Sequence, residues 1–409
     1  MRIFVDICPL KVVRMKSSGR TTTAGDTPVN QAGQAKGHVR GLNGLRALAV
    51  VLVFLSHKAH VETVDVGKLG VWIFFLISGF LIIGELHRNR VRIEAGSARR
   101  EAVMCVFFMK RALRIFPIYY LLLFALTIAH ALFYQHEVDL GLAWHYFFLS
   151  DYWIGVVKDG WPGTVSHFWS LAVEQQFYLV APFLLVLTPA SRHRMVCAFV
   201  VLVGVAGHLA IHAAGASEPL IYALSPLNFS LLALGGLCGM LGQESGLARA
   251  AGRLSTGMAG ALGVLMFATQ PVWSNWVLPF SAVDSAWIDI GLALSLCVLF
   301  AWIVNRPGSI VVSALEFKPL DYLGTISYGF YLFHNLIPSK LGFVPTWFAA
   351  PTWIHTLCAL TLQFALAVLL AHLSWHLIEK RLLELKKPFE AAIGRRLPAR
   401  RLRTQTQAR

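Results

Sequence analysis

Arg46 and His57 stand eleven residues apart in the apolar stretch 42–60, LNGLRALAVVLVFLSHKAH. At about 100° and about 1.5 Å per residue, that spacing returns to within about 20° of one helix face and separates the two side chains by about 16 Å. One face of one membrane-length helix thus presents a guanidinium near one bilayer surface and a titratable imidazole deep in the hydrocarbon. An ionisable group at that depth is costly, which makes His57 a candidate general base or nucleophile. For Arg46 a snorkelling side chain that reaches the headgroups is the competing explanation.

Three further stretches carry groups able to complete such a site. In FMKRALRIFPIYY, 108–120, Arg111 and Arg114 share one side of a helical turn, with Pro117 in the first turn of the span that follows. With Lys110 and Arg46 they place four cations at one face, suited to phosphate through the bidentate arginine fork; an ordinary basic flank is the alternative. In HFWSLAVEQQFYLVAP, 167–182, Ser170, Glu174 and Tyr178 recur every four residues and form one stripe, with Pro182 a kink further along. Glu174 falls at a depth near that of His57, so the carboxylate is expected to orient the imidazole; a structural ion pair between two helices is the rival. In DYLGTISYGFYLFHN, 321–335, Tyr328, Tyr331 and His334 share a face, as a polar cavity wall or as part of an aromatic belt. Trp169, Ser170, Tyr178, Tyr331 and His334 are the candidate substrate contacts. Ser78 and Gly79, in GVWIFFLISGFLI at 70–82, read as a packing notch between helices, with a backbone that lines a substrate path as the alternative. Trp144, Tyr146, Tyr152, Trp153 and Trp161 read as an outer interfacial belt, with stacking against sugar rings as the alternative.

The elements that position these groups follow from composition. The 409-residue chain is 56% hydrophobic and 14% charged, with mean hydropathy +0.61, which excludes an ordinary soluble domain. About ten apolar segments approach spanning length, at 43–61, 67–86, 115–134, 168–188, 195–214, 219–241, 255–271, 283–304, 320–338 and 353–376. The fold class is therefore an all-α polytopic membrane protein. Residues 140–149 are apolar but too short to cross and read as an interfacial or re-entrant piece. Of the 36 Lys and Arg, 32 fall on one side of this threading, and Lys58, Lys68, Lys158 and Lys340 fall on the other. The positive-inside rule then places both termini in the cytoplasm of a multi-pass inner-membrane protein. The net charge of +15 is topological and excludes a nucleic-acid partner, while the Arg-rich tail is suited to anionic lipid headgroups. Six cysteines scattered singly predict neither disulfides nor a metal cluster. Residues 1–40 form a polar cytoplasmic tail, in which Met15 is a possible alternative start, 41–380 the transmembrane domain and 381–409 a basic cytoplasmic tail.

In their order along the chain, the Arg46 and His57 spacing, FFLISGFLI, the Arg111 and Arg114 pair before Pro117, WSLAVEQQFYL and ISYGFYLFH resemble the membrane-bound acyltransferase-3 family over about residues 41–380. The resemblance implies transfer of an acyl group, usually acetyl from cytoplasmic acetyl-CoA, to a hydroxyl of a surface glycan or glycolipid. It implies that His57 is the essential catalytic position, with Arg46, Arg111 and Arg114 serving the donor and no metal required. Asn43 departs from the aspartate usual in the family and is expected to cap the helix start instead. The additional soluble esterase-like domain of some members is not expected here. A proton-coupled transporter, which also keeps His, Glu and Arg within its spans, is the rival function; it would show inverted repeats and leave acetyl-CoA intact.

Overall fold

The computed structural model describes residues 39–59, 64–133, 139–224, 226–241, 245–269, 282–338 and 352–397, and every regular element among them is helical. The N-terminal tail up to residue 38, with Met15, Lys340 and the last residues 398–409 lie outside the described residues. The helices that matter for the site are α1 (Leu42–Ala59), α2 (Val66–Glu94), α3 (Arg100–Phe133), α4 (Phe168–Leu187), α5 (His193–Ala213), α6 (Pro226–Gly239), α7 (Leu254–Ala268), α8 (Ala282–Asn305), α9 (Lys318–Thr325), α10 (Ser327–Phe333), α11 (Thr352–Ser374) and α12 (Lys386–Arg396).

Eight helical stretches among the described residues are long and apolar enough to cross a membrane. Two of the ten expected spans differ. The segment at 255–271 is represented by α7, an apolar helix of 15 residues. The segment at 320–338 is not one helix: α9 ends at Thr325, α10 restarts at Ser327, and a 3₁₀ turn covers His334–Leu336. Thr325 Oγ1 donates to the Asp321 carbonyl at 3.0 Å, a local bond that competes with the helical ladder where two β-branched residues adjoin. Backbone broken at membrane depth is tolerated only where protein or a cavity satisfies it. Here α9 crosses α1 so closely that a Cβ on Gly324 would meet the Asn43 carbonyl oxygen at 1.9 Å.

Local expectations are corrected at three places. Pro117 lies inside α3 rather than in the first turn of a span, because the basic segment before it continues the same helix from Arg100. Asn43 lies within α1 rather than capping it, and its amide donates to Asp321 Oδ1 at 3.0 Å. Trp153 is not in an exposed belt: at 2% exposure it sits beneath Gly141, where a Cβ would strike its ring at 2.4 Å. Tyr152 and Trp161 remain exposed.

The segment between α3 and α4 folds back onto α3. A short helix, Leu142–Tyr146, is too short to cross, as expected for 140–149, and Tyr119 and Tyr120 donate to the carbonyls of His145 and Tyr146 at 2.9 and 3.1 Å. Behind it, Asp151 accepts from Gln176 of α4 through Oδ1 at 2.9 Å, while Oδ2 is buried with no partner among the described residues. Burial pushes the Asp151 carboxyl up to about 6 and the nearby His145 imidazole down to about 4. A carboxyl whose folded value lies above its unfolded one contributes most favourably below about pH 4, and that contribution is lost as pH rises through about 6. His145 acts with the opposite sign, since its folded value lies below its unfolded one. Asp151→Asn removes only the first effect, so the variant should match the parent near pH 4 and exceed it above pH 6 by about 1–3 kcal/mol. Thermal unfolding in detergent across that range checks this, and a variant less stable at pH 7 contradicts it.

Candidate active site

A cavity of about 80 Å³, room for several water-sized groups, lies between α1, α2, α3, α4 and α10. Arg46, Arg111, Arg114, Ser170, Glu174, Tyr178 and Tyr331 all line it, as do Ser78, Ser327 and Tyr328. Residues singled out on four separate helices therefore converge on one space. Amphipathic periodicity explains this locally: Ser170, Glu174 and Tyr178 lie on one stripe of α4, and Arg111 and Arg114 on one side of α3.

The cations dominate one region of the lining. Arg46 Nε and Arg111 Nε are buried and have no hydrogen-bond acceptor among the described residues. The Arg111 guanidinium lies 5.6 Å from the Tyr178 ring and pairs with Glu85 at 3.1 Å. Buried donors without acceptors are expensive, so this wall is suited to an anionic ligand. Lys110 lies apart from the lining, held by Glu85 at 3.2 Å and by Glu390 of α12 at 2.8 Å. Trp169 is also elsewhere, packed edge-on between Phe75 and Tyr222.

Glu174 is placed differently from expectation. The sequence reading pairs it with His57, whereas the structure has Ser78 Oγ donating to Glu174 Oε1, and Tyr178 donating to Ser78 at 3.3 Å. Arg46 and Arg114 contribute positive field around it. The notch reading of the second span holds for Gly79 but not for its neighbour: Ser78 is a polar member of the cavity wall.

His57 belongs to a second cluster. His57, His167 and His334 have ring centroids 5.1, 5.0 and 6.4 Å apart. His57 Nδ1 approaches the Val53 carbonyl at 3.0 Å and His334 Nε2 at 3.3 Å, while His334 Nδ1 reaches the Tyr331 carbonyl at 2.7 Å. Because a carbonyl oxygen only accepts, both Nδ1 atoms carry a proton. His334 Nε2 accordingly accepts from His57, and the lone pair of His57 resides on Nε2.

Tyr331 joins the two regions. It lines the cavity, its ring lies 5.5 Å from both His167 and His334, and its hydroxyl meets Ser170 Oγ at 2.5 Å and donates to the His167 carbonyl at 3.0 Å. The arrangement is a cation-lined chamber, a tyrosine and serine partition, and a histidine cluster on the far side. Sequence reasoning did not single out His167, Glu85 or Glu379. Glu379 is buried, accepts from Ser374 at 2.7 Å and contributes to the field at Arg114. Nor did the cysteine pattern reveal that His208, His212 and Asp289 converge as possible metal ligands beside a separate small cavity.

The family model for the acyltransferase domain matches residues 39–372. The chain is 27% identical over 364 residues to the putative peptidoglycan O-acetyltransferase YrhL of Bacillus subtilis, covering 84% of this chain and 54% of that protein. It is 26% identical over 315 residues to the peptidoglycan O-acetyltransferase OatA of Listeria monocytogenes, covering 73% and 49%. It is likewise 26% identical over 375 residues to the O-acetyltransferase OatA of Staphylococcus aureus, covering 87% and 58%. The chain thus spans about half the length of these relatives. No solved structure matches it.

Proposed function

This chain belongs to the acyltransferase-3 family, and from that membership we propose that it is a membrane O-acyltransferase moving an acetyl group from cytoplasmic acetyl-CoA to a hydroxyl of an exported glycan. Peptidoglycan, named for two relatives, is the first acceptor to test. The working unit is residues 41–380, with both termini on the donor side, a reading supported by the one-sided distribution of Lys and Arg.

The observation that carries the reading is the partitioned chamber, with three arginines in its lining and three histidines beyond Tyr331. The donor phosphates bind Arg46, Arg111 and Arg114, and the pantetheine arm lies along the chamber toward Tyr331. Glu174 and Ser78 hold the arginine wall rather than the base. The acceptor hydroxyl gives its proton to His57 Nε2 as its oxygen bonds to the thioester carbonyl carbon. The carbon–sulfur bond then breaks, and the departing thiolate takes that proton, leaving an acetyl ester and CoA thiol. Tautomer control by Val53 and His334 keeps Nε2 the basic nitrogen.

Purified protein in liposomes, given acetyl-CoA inside and glycan outside, should release CoA thiol only when acceptor is present. Acetyl-CoA left intact while protons move would favour the transporter and sink the proposal. Arg46→Ala should raise KM for acetyl-CoA about 10–100-fold with a smaller change in kcat, the loss expected for a charge-assisted phosphate contact. An unchanged KM removes Arg46 from donor binding.

A further inference from the structure

His208 and His212 lie four residues apart on α5 and so face one way, toward Asp289 of α8. One ligand-capable atom from each of the three comes within 4.8 Å of the other two. The imidazoles are 1% and 6% exposed, their ring centroids are 4.5 Å apart, and His208 Nε2 is 3.5 Å from Asp289 Oδ2. His208 and Asp289 also line a small cavity of about 10 Å³, which accommodates about one water molecule or one ion.

We propose that His208, His212 and Asp289 form a binding site for a divalent transition ion of the zinc type. Two imidazoles and one carboxylate suit zinc or cobalt, whereas magnesium and calcium demand oxygen ligands. Metal bonds of about 2.0–2.2 Å need donor atoms within roughly 3.5 Å of one another. Closing the present spacing to that value asks for a shift of about one ångström in the ligand atoms. The His212 ring is already aimed: Nδ1 lies 3.4 Å from Ser285 Oγ, the kind of outer contact that fixes a ligating tautomer and leaves Nε2 to the ion.

Lys68 is the competitor. Its ammonium lies 3.1 and 3.4 Å from the two Asp289 oxygens, and Asp65 and Glu218 also lie within its electrostatic range. A bound ion displaces the ammonium toward those outer carboxylates, which balance its charge. A buried Lys68–Asp289 pair alone accounts for neither the two imidazoles turned to the same carboxylate nor the ion-sized space beside it. The site is independent of the acyl-transfer reading.

Cobalt titration of tag-free, metal-stripped full-length protein in detergent tests this, read by the visible d–d bands of low-coordinate cobalt and by metal content after desalting. Wild type should bind one equivalent. H208Q/H212Q should lose at least about 100-fold in affinity, H212Q alone at least about 10-fold, and K68M should gain. H212Q keeps the Lys68–Asp289 pair and serves if the double variant fails to fold. Absence of the bands in wild type, unchanged binding in the histidine variants, or binding in K68M alone overturns the proposal, the last because it would make Lys68 the resident cation.

Discussion

Replacing His57 with Gln should leave an inserted, folded protein whose acetyl transfer falls about 10²- to 10⁴-fold, the range typical of a lost general base. The reason lies in proton placement. Val53 and His334 both engage Nδ1, so the basic lone pair of the wild-type ring is on Nε2, a position where glutamine offers only a non-basic amide. His334 serves as a positioning residue in this scheme, because its own Nδ1–H is committed to the Tyr331 carbonyl. His334→Gln should therefore cost less than the His57 change and act through orientation, with a milder loss of kcat and an unchanged KM for donor. Thiol release in liposomes, paired with thermal unfolding to show that folding is intact, checks both. A His57→Gln protein that transfers acetyl at the parental rate defeats the assignment.

Adding a single methyl at Gly79 should destabilise the bundle by on the order of 3 kcal/mol and deplete folded protein. A Cβ there would lie 1.8 Å from the Leu232 carbonyl oxygen and 2.6 Å from its carbon, backbone atoms that no rotamer change can move aside. The crossing is reciprocal: a Cβ on Gly235 of α6 would meet the Leu76 carbonyl oxygen of α2 at 2.1 Å. To admit Gly79→Ala the helices must part by more than an ångström, loosening Phe75, Leu76, Leu231 and Leu232, all buried at the contact. Overpacking of this kind typically costs about 1–3 kcal/mol and more against rigid backbone, and close approach is what drives helix association in lipid. Gly246→Ala is the control, since nothing lies within 4 Å of its Cβ position. Melting temperature and monodispersity in detergent report the effect, and a Gly79→Ala protein as stable as the control refutes it.

What could be seen in the sequence was what one helix decides by itself. The Ser170, Glu174 and Tyr178 stripe and the Arg111 and Arg114 pair follow from periodicity, and their cavity-facing placement was legible from spacing. Which stripe meets which depends on contacts between segments about a hundred residues apart, which periodicity does not encode. Matched depth suggests Glu174 for His57, whereas the hydrogen bond that Glu174 accepts in the structure comes from Ser78 on a different helix. Depth constrains one coordinate and leaves rotation about the bundle open. The break after Thr325 was hidden for a different reason: hydropathy is blind to a hydroxyl that bonds back to its own helix. Trp153 shows the limit of the belt rule, since a loop folded onto the bundle buries an aromatic ring that would otherwise sit at the interface.

Tyr331 fills the space between the two clusters with its ring, and its hydroxyl is secured to Ser170 and to the His167 carbonyl. Under the proposed function, a group passed from the arginine side to the histidine side must go by this one aromatic side chain. In an energised membrane a narrow water wire past that point would short-circuit the proton gradient, so a side chain filling it would also serve to hold the voltage.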